Sequence, residues 1–257
     1  MNRAGASREA VWELIEHEGA DIVLLQEVTG IPNGLLNTYQ CHLITPRYFE
    51  GHHAPFSTAI LSKGMIDAAP FLKSNLEWVN RIHAECHGWI VGCETELVSG
   101  GRFRVLSVHS PAGPIPSDRW PPPDAAGIKL TNNPDLWFTE ILWSLMRDTK
   151  EIDDGNWIVG GDFNASVLFD SPKDRGNRQV LQRLKSIGLT ECLSSHCGAP
   201  VPTFMDTQKS VKHQLDYCFV GDSMARRLVR ARVPCRSSVF TQSPRLSDHL
   251  PVVCEFE

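Results

Sequence analysis

The sequence contains no run approaching the ~18 to 20 apolar residues that a membrane-spanning helix needs, and no basic segment followed by an apolar stretch at its start. It has no CxxC pair, which argues against common zinc and thioredoxin-type patterns. Nor has it an excess of positive charge: the net charge is −5, so no global basic field marks it as a high-affinity nucleic-acid binder. Internal repeats, charge blocks and low-complexity tracts are also missing. What remains is a chain of 257 residues with 42% hydrophobic content, long enough to bury a sizeable core. The expectation is one domain spanning 1–257, cytoplasmic and monomeric.

The eight cysteines are scattered, and reduced, mostly buried thiols are the default in a chain too large to need a disulfide framework. Cys192, His196 and Cys197 lie close together in sequence, but a zinc site needs a further ligand pair at suitable spacing, and no zinc is expected.

Helical and extended signals alternate along the chain. Residues 7–17 predict an amphipathic helix with Ser7 as N-cap and Ala10, Val11, Leu14 and Ile15 on one face. Residues 21–25 form a short continuous apolar run, the mark of a strand covered on both faces. Strands are predicted at 58–62, 88–97 and 103–108, the last two joined as a hairpin by Gly100-Gly101. Proline-rich residues 111–123 read as an ordered surface loop. A helix at 135–147, a strand at 156–160, a helix at 178–187 and strands at 214–220, 228–233 and 251–256 complete the layered α/β pattern.

Three polar motifs each lie on an apolar run: Leu24-Leu25-Gln26-Glu27, Gly160-Gly161-Asp162-Phe163-Asn164 and Ser247-Asp248-His249. A carboxylate directly off a buried strand is either a strand-end cap or a ligand for a hard cation, which makes Glu27 a metal candidate. Asp162 and Asn164, two apart, would on an extended segment point to one face, where a carboxylate can handle water and an amide can donate to phosphate. The competing reading is an Asx turn after Gly160-Gly161.

The order LLQEV, VHSP, GGDFNA, QLDYCFV and SDHLPV resembles the endonuclease/exonuclease/phosphatase superfamily, the deoxyribonuclease-I-like fold, over nearly the whole chain. The resemblance implies a four-layer αββα sandwich of two mixed β-sheets flanked by helices, with the site at one edge. It implies a Mg²⁺- or Mn²⁺-dependent phosphoester hydrolase, a nuclease on nucleic acid ahead of a lipid or small-molecule phosphatase or an inactive phosphate-binding relative. It assigns the metal to Glu27, with Asp248 and Asn2, and catalysis to His109, Asp162, Asn164, Asp216 and His249, the last two as a pair. His109 would contact the phosphate and protonate the leaving group. Arg47, Lys173, Arg175 and Arg178 flank these motifs and could contact phosphates. The sequence departs from the pattern at its start, where the family's first strand with its Trp-Asn motif is missing; the expectation is an N-terminally truncated domain with Asn2 as the surviving second residue of that motif.

Overall fold

The structure is a computed structural model that describes residues 8–116, 125, 127–150, 156–243 and 245–257. Asn2, Ser7 and part of the proline-rich loop lie outside the described residues. The elements in chain order begin with α1 (Arg8–Glu18), β1 (Ile22–Val28), α2 (Asn33–Leu36), β2 (Gln40–Ile44), β3 (Ser57–Ser62), β4 (Met65–Asp67), α3 (Glu77–Glu85), β5 (Ile90–Glu96) and β6 (Arg102–His109). They continue with α4 (Phe138–Lys150), β7 (Asn156–Asp162), α5 (Asn177–Ser186), β8 (Leu189–Glu191), α6 (Cys192–Cys197), β9 (Phe204–Met205) and β10 (Val211–His213). The last are β11 (Asp216–Gly221), α7 (Asp222–Ala225), β12 (Leu228–Arg232), α8 (Arg236–Phe240) and β13 (Val253–Phe256).

A six-stranded mixed sheet, in the order β4-β5-β6-β7-β11-β8, forms one inner layer. Only β6 and β7 run parallel within it, and β5–β6 is the expected hairpin. The other inner layer consists of antiparallel pieces, β1-β3-β2 and β12-β13, where a second mixed sheet was expected. Among the described residues β1 pairs only with β3 and β13 only with β12, so each leaves one edge without a ladder.

The period of two along each strand divides the apolar side chains between layers. On β7, Trp157 and Val159 join a core with α3 and α4 residues such as Val79, Ile82, Ile141 and Leu145, while Ile158 faces the opposite way. On β11, Tyr217 and Phe219 take the helix side and Cys218 and Val220 the other. The second core lies between the sheets, where Val105 and Val220 meet Leu24 of β1 and Ile60 of β3. Leu25, Ala59 and Leu61 turn outward to Trp12 and Ile15 of α1. Helices, sheet, sheet, helix is the αββα sandwich. No helix among the described residues is long and apolar enough to cross a membrane.

Candidate active site

The six-stranded sheet aligns three of the predicted residues by register. β6 and β7 run side by side so that His109 is opposite Asp162, and antiparallel β11 puts Asp216 opposite Asp162 on its other side. Adjacent strands lie ~4.8 Å apart, so the three side chains form a row across one edge of the sheet. β1 brings Glu27 against that row, fixed by a 2.9 Å hydrogen bond from Gln26 Nε2 to Ser107 Oγ. The segment after residue 245 adds Asp248 and His249. It is tied to β9 by Met205 N donating to Asp248 O at 2.9 Å, and to its own Ser247, whose Oγ accepts from His249 N at 3.0 Å.

Gln26, Glu27, His109, Asp162, Asp216, Asp248 and His249 line one cleft of about 80 Å³. Motifs from both ends and the middle of the chain therefore meet, as the sequence pattern implied. Asn2 cannot be placed, since it is outside the described residues. Arg47, Lys173, Arg175 and Arg178 do not line the cleft; Arg47 Nε instead donates to Gly51 O at 3.1 Å.

The backbone at this edge is unusual. Only three described non-glycine residues have positive φ, and two are Glu27 (56°) and Asn164 (48°). Left-handed backbone is cheap for Asn but costly for Glu, and such outliers cluster at functional sites. Gly161, at φ 135°, could not carry a side chain: a Cβ would stand 2.0 Å from Val108 O and 2.8 Å from Gln26 Nε2. The glycines of the GGDFN motif are thus required by close approach of β7 to β6 and β1.

Asn164 departs from expectation because it does not continue β7 in extended form. Its N–H donates to Asp162 Oδ1 at 2.9 Å, an Asx turn, and its Nδ2 donates to Ser110 O at 2.8 Å and to Asp162 Oδ2 at 3.1 Å. Both amide hydrogens are engaged within the protein, so Asn164 braces Asp162 rather than lining the cleft. The turn and the site are one arrangement.

Electrostatics divide the labour. Burial, Asp216 and Glu27 push the Asp162 carboxyl up to about 7, against the pull of His249 and the Asn164 N–H. His249 Nδ1 lies 2.8 Å from Asp216 Oδ2. Burial works against its charged form, but Asp216, by charge and hydrogen bond, with Asp162 and Asp248 behind it, raises the imidazole to about 9. His109 goes the other way: burial, with His249 adding to it, lowers it to about 3. Its Nε2 stands 4.0 Å from Glu27 Oε1, too far for a hydrogen bond. As a neutral imidazole it can donate a hydrogen bond, whereas the charged His249 can surrender a proton.

Three residues that sequence reasoning missed hold the histidines. Trp89 and Phe56 flank His109 with ring centroids at 5.2 and 5.3 Å, and Phe204 lies 4.9 Å from His249. Nothing local in the sequence links these aromatics to their histidines; the contacts arise from strand pairing.

The residues fit a hard divalent cation. Four carboxylates, Glu27, Asp162, Asp216 and Asp248, converge on one small cleft lined by no Lys or Arg, and oxygen donors of this kind are what Mg²⁺ and Mn²⁺ bind. Asp162, Asp216 and His249 offer ligand atoms within 4.8 Å of one another.

The chain is similar to known proteins over nearly its whole length. The profile described as "Endonuclease/Exonuclease/phosphatase family" matches residues 2–249. No curated protein matches the chain by sequence. Among solved structures, a 3′ phosphatase, NExo, from Neisseria bound to a product DNA hairpin superimposes with a TM-score of 0.67 at 19% identity, covering 98% of this chain and 95% of the other. An AP endonuclease from Archaeoglobus fulgidus gives 0.66 at 17% identity, with the same two coverages of 98% and 95%. The catalytic domain of Xenopus laevis APE2 gives 0.65 at 16%, covering 98% and 88%. These likenesses show the fold.

Proposed function

Because this chain belongs to the endonuclease/exonuclease/phosphatase family, we propose that it is a Mg²⁺- or Mn²⁺-dependent phosphodiesterase that cleaves nucleic acid. The observation that carries the reading is the convergence of Glu27, Asp162, Asp216 and Asp248 with two histidines of opposite charge preference around one cleft. A binding module has little use for four clustered carboxylates, each of which raises the cost of ionising the others. The relatives in structure include a phosphatase bound to DNA and an AP endonuclease, which supports nucleic acid as the substrate class.

Glu27 and Asp248 would hold the cation, which supplies Lewis-acid polarisation of a phosphate oxygen when bound. Asp162, braced by Asn164, accepts the proton of the attacking water and aims it at phosphorus. Its raised proton affinity makes it a stronger base than an ordinary carboxylate. His249, kept charged by Asp216, faces the negative charge that grows on the phosphoryl oxygens and, as the charged one of the two histidines, supplies the proton for the leaving oxygen. His109 adds a neutral N–H donor on the opposite side of Asp162.

The test is hydrolysis of plasmid, single-stranded DNA, RNA and a generic phosphodiester with Mg²⁺ or Mn²⁺, with and without EDTA, beside Asp162→Asn. EDTA-sensitive cleavage of a nucleic acid that the substitution removes is expected. Cleavage of the generic diester alone would overturn the substrate class, and turnover that survives EDTA would overturn the metal.

A further inference from the structure

The cysteines that look scattered in sequence are not scattered in space. Cys192 at the start of α6, Cys218 on β11 and Cys254 on β13 bring their sulfur atoms within 4.8 Å of one another. The neighbours Cys192, His196 and Cys197 do not form such a group; Cys197 Sγ turns away to Ala231 O, 3.9 Å distant. The triad lies in the core between the two sheets, among Leu24, Ile158, Leu193 and Val220.

We propose that Cys192, Cys218 and Cys254 form a three-sulfur seat for a soft monovalent cation, Cu⁺. Three sulfurs delivered by three separate elements to one point is the donor set that soft cations select over hard ones. The number of donors then chooses among soft ions. Structural zinc is almost always four-coordinate, and among the described residues no histidine or carboxylate joins these sulfurs. Monovalent copper accepts a trigonal set. Cu⁺ takes the sulfurs as thiolates, so their protons leave to solvent as the ion enters and binding tightens as pH rises. A divalent zinc ion at the same three sulfurs still lacks a fourth ligand.

The test uses the full chain, reduced and oxygen-free, titrated with Cu⁺ held by a chromophoric chelator and separately with Zn²⁺. One equivalent of Cu⁺ should be withdrawn, and X-ray absorption of the loaded protein should show three sulfur neighbours. The exposed cysteines are the competing site, so Cys41→Ser/Cys197→Ser/Cys235→Ser should bind as the natural chain does. Cys254→Ser, checked for folding by circular dichroism, should bind at least tenfold more weakly. Failure to withdraw copper, nitrogen or oxygen neighbours, loss of binding in the exposed-cysteine variant, or preference for Zn²⁺ would each overturn the proposal. The absorption measurement needs no substitution in the core, so it decides even if Cys254→Ser does not fold.

Discussion

His249 Nδ1 stands 2.8 Å from Asp216 Oδ2, across strands whose register places that same Asp216 beside Asp162. One carboxylate therefore raises two proton affinities: it helps raise His249 to about 9 and adds to the burial that raises Asp162 to about 7. Between those two values Asp162 is free to accept a proton while His249 still holds one.

NMR titration of the metal-free protein should find His249 still protonated well above its ordinary value of 6.5, losing its proton near 9. The folded affinity exceeds the unfolded one, so this pair's contribution to stability is complete below pH ~6.5 and disappears as pH rises through about 9. In Asp216→Asn the His249 midpoint should fall, and turnover should drop about 10²- to 10⁴-fold, the range for a general acid–base group. An unchanged midpoint would show that Asp216 does not govern the imidazole.

Asp162→Asn should cost nearly all turnover yet make the protein more stable at alkaline pH. Burial raises the Asp162 carboxyl from 3.8 to about 7, so the stability tied to its bound proton is full below pH ~3.8 and lost as pH rises through about 7. The isosteric amide escapes that loss. In EDTA, calorimetry should place the variant's Tm several degrees above the natural chain at pH 8, on the order of 1 kcal/mol or more, with the gap closing toward pH 4. A lower Tm at both values would contradict the assignment.

The sequence announces the site better than it explains it. Apolar runs before Glu27 and Asp162 and after Asp216 are readable because strands buried on both faces have no polar alternation. β2 escaped because Gln40–Ile44 is short and largely exposed, with Cys41 and Leu43 outward, so it carries no continuous apolar run. α3 escaped because only Val79 and Ile82 are buried in it, too few for a clear helical stripe. The left-handed turn of Asn164 was hidden for another reason: two-residue spacing implies a common face only while the chain stays extended. Burial of His109 between Phe56 and Trp89 depends on partners distant in sequence, which no local pattern encodes.

Gly161→Ala should destabilise by at least about 2 kcal/mol, since it combines a φ suited to glycine with a backbone collision. The added Cβ would meet Val108 O at 2.0 Å, so relief requires moving β6 from β7, and with it His109 from Asp162. A urea midpoint shift should accompany reduced activity in the folded fraction. Gly100→Ala, where a Cβ meets nothing within 4 Å but φ is 94°, should show the backbone strain alone and cost less. Equal costs would mean that the collision is absorbed.

Divalent cations should stabilise the protein through Glu27. Four carboxylates around about 80 Å³, with no Lys or Arg in the lining, repel one another without a counter-charge. A cation that binds only the folded state adds ~2.7 kcal/mol at a hundredfold excess over its Kd, roughly 5 to 10 °C in Tm for a chain of this size. Mg²⁺ or Mn²⁺ should produce a saturable rise of that order, reversed by EDTA and absent with K⁺ at equal ionic strength. Screening of surface charge would respond to ionic strength alone. Glu27→Gln removes a charged oxygen donor but keeps the shape, so it should lose most of the metal-dependent rise while leaving the EDTA baseline close to that of the natural chain. A rise that survives this substitution would place the cation elsewhere in the carboxylate cluster.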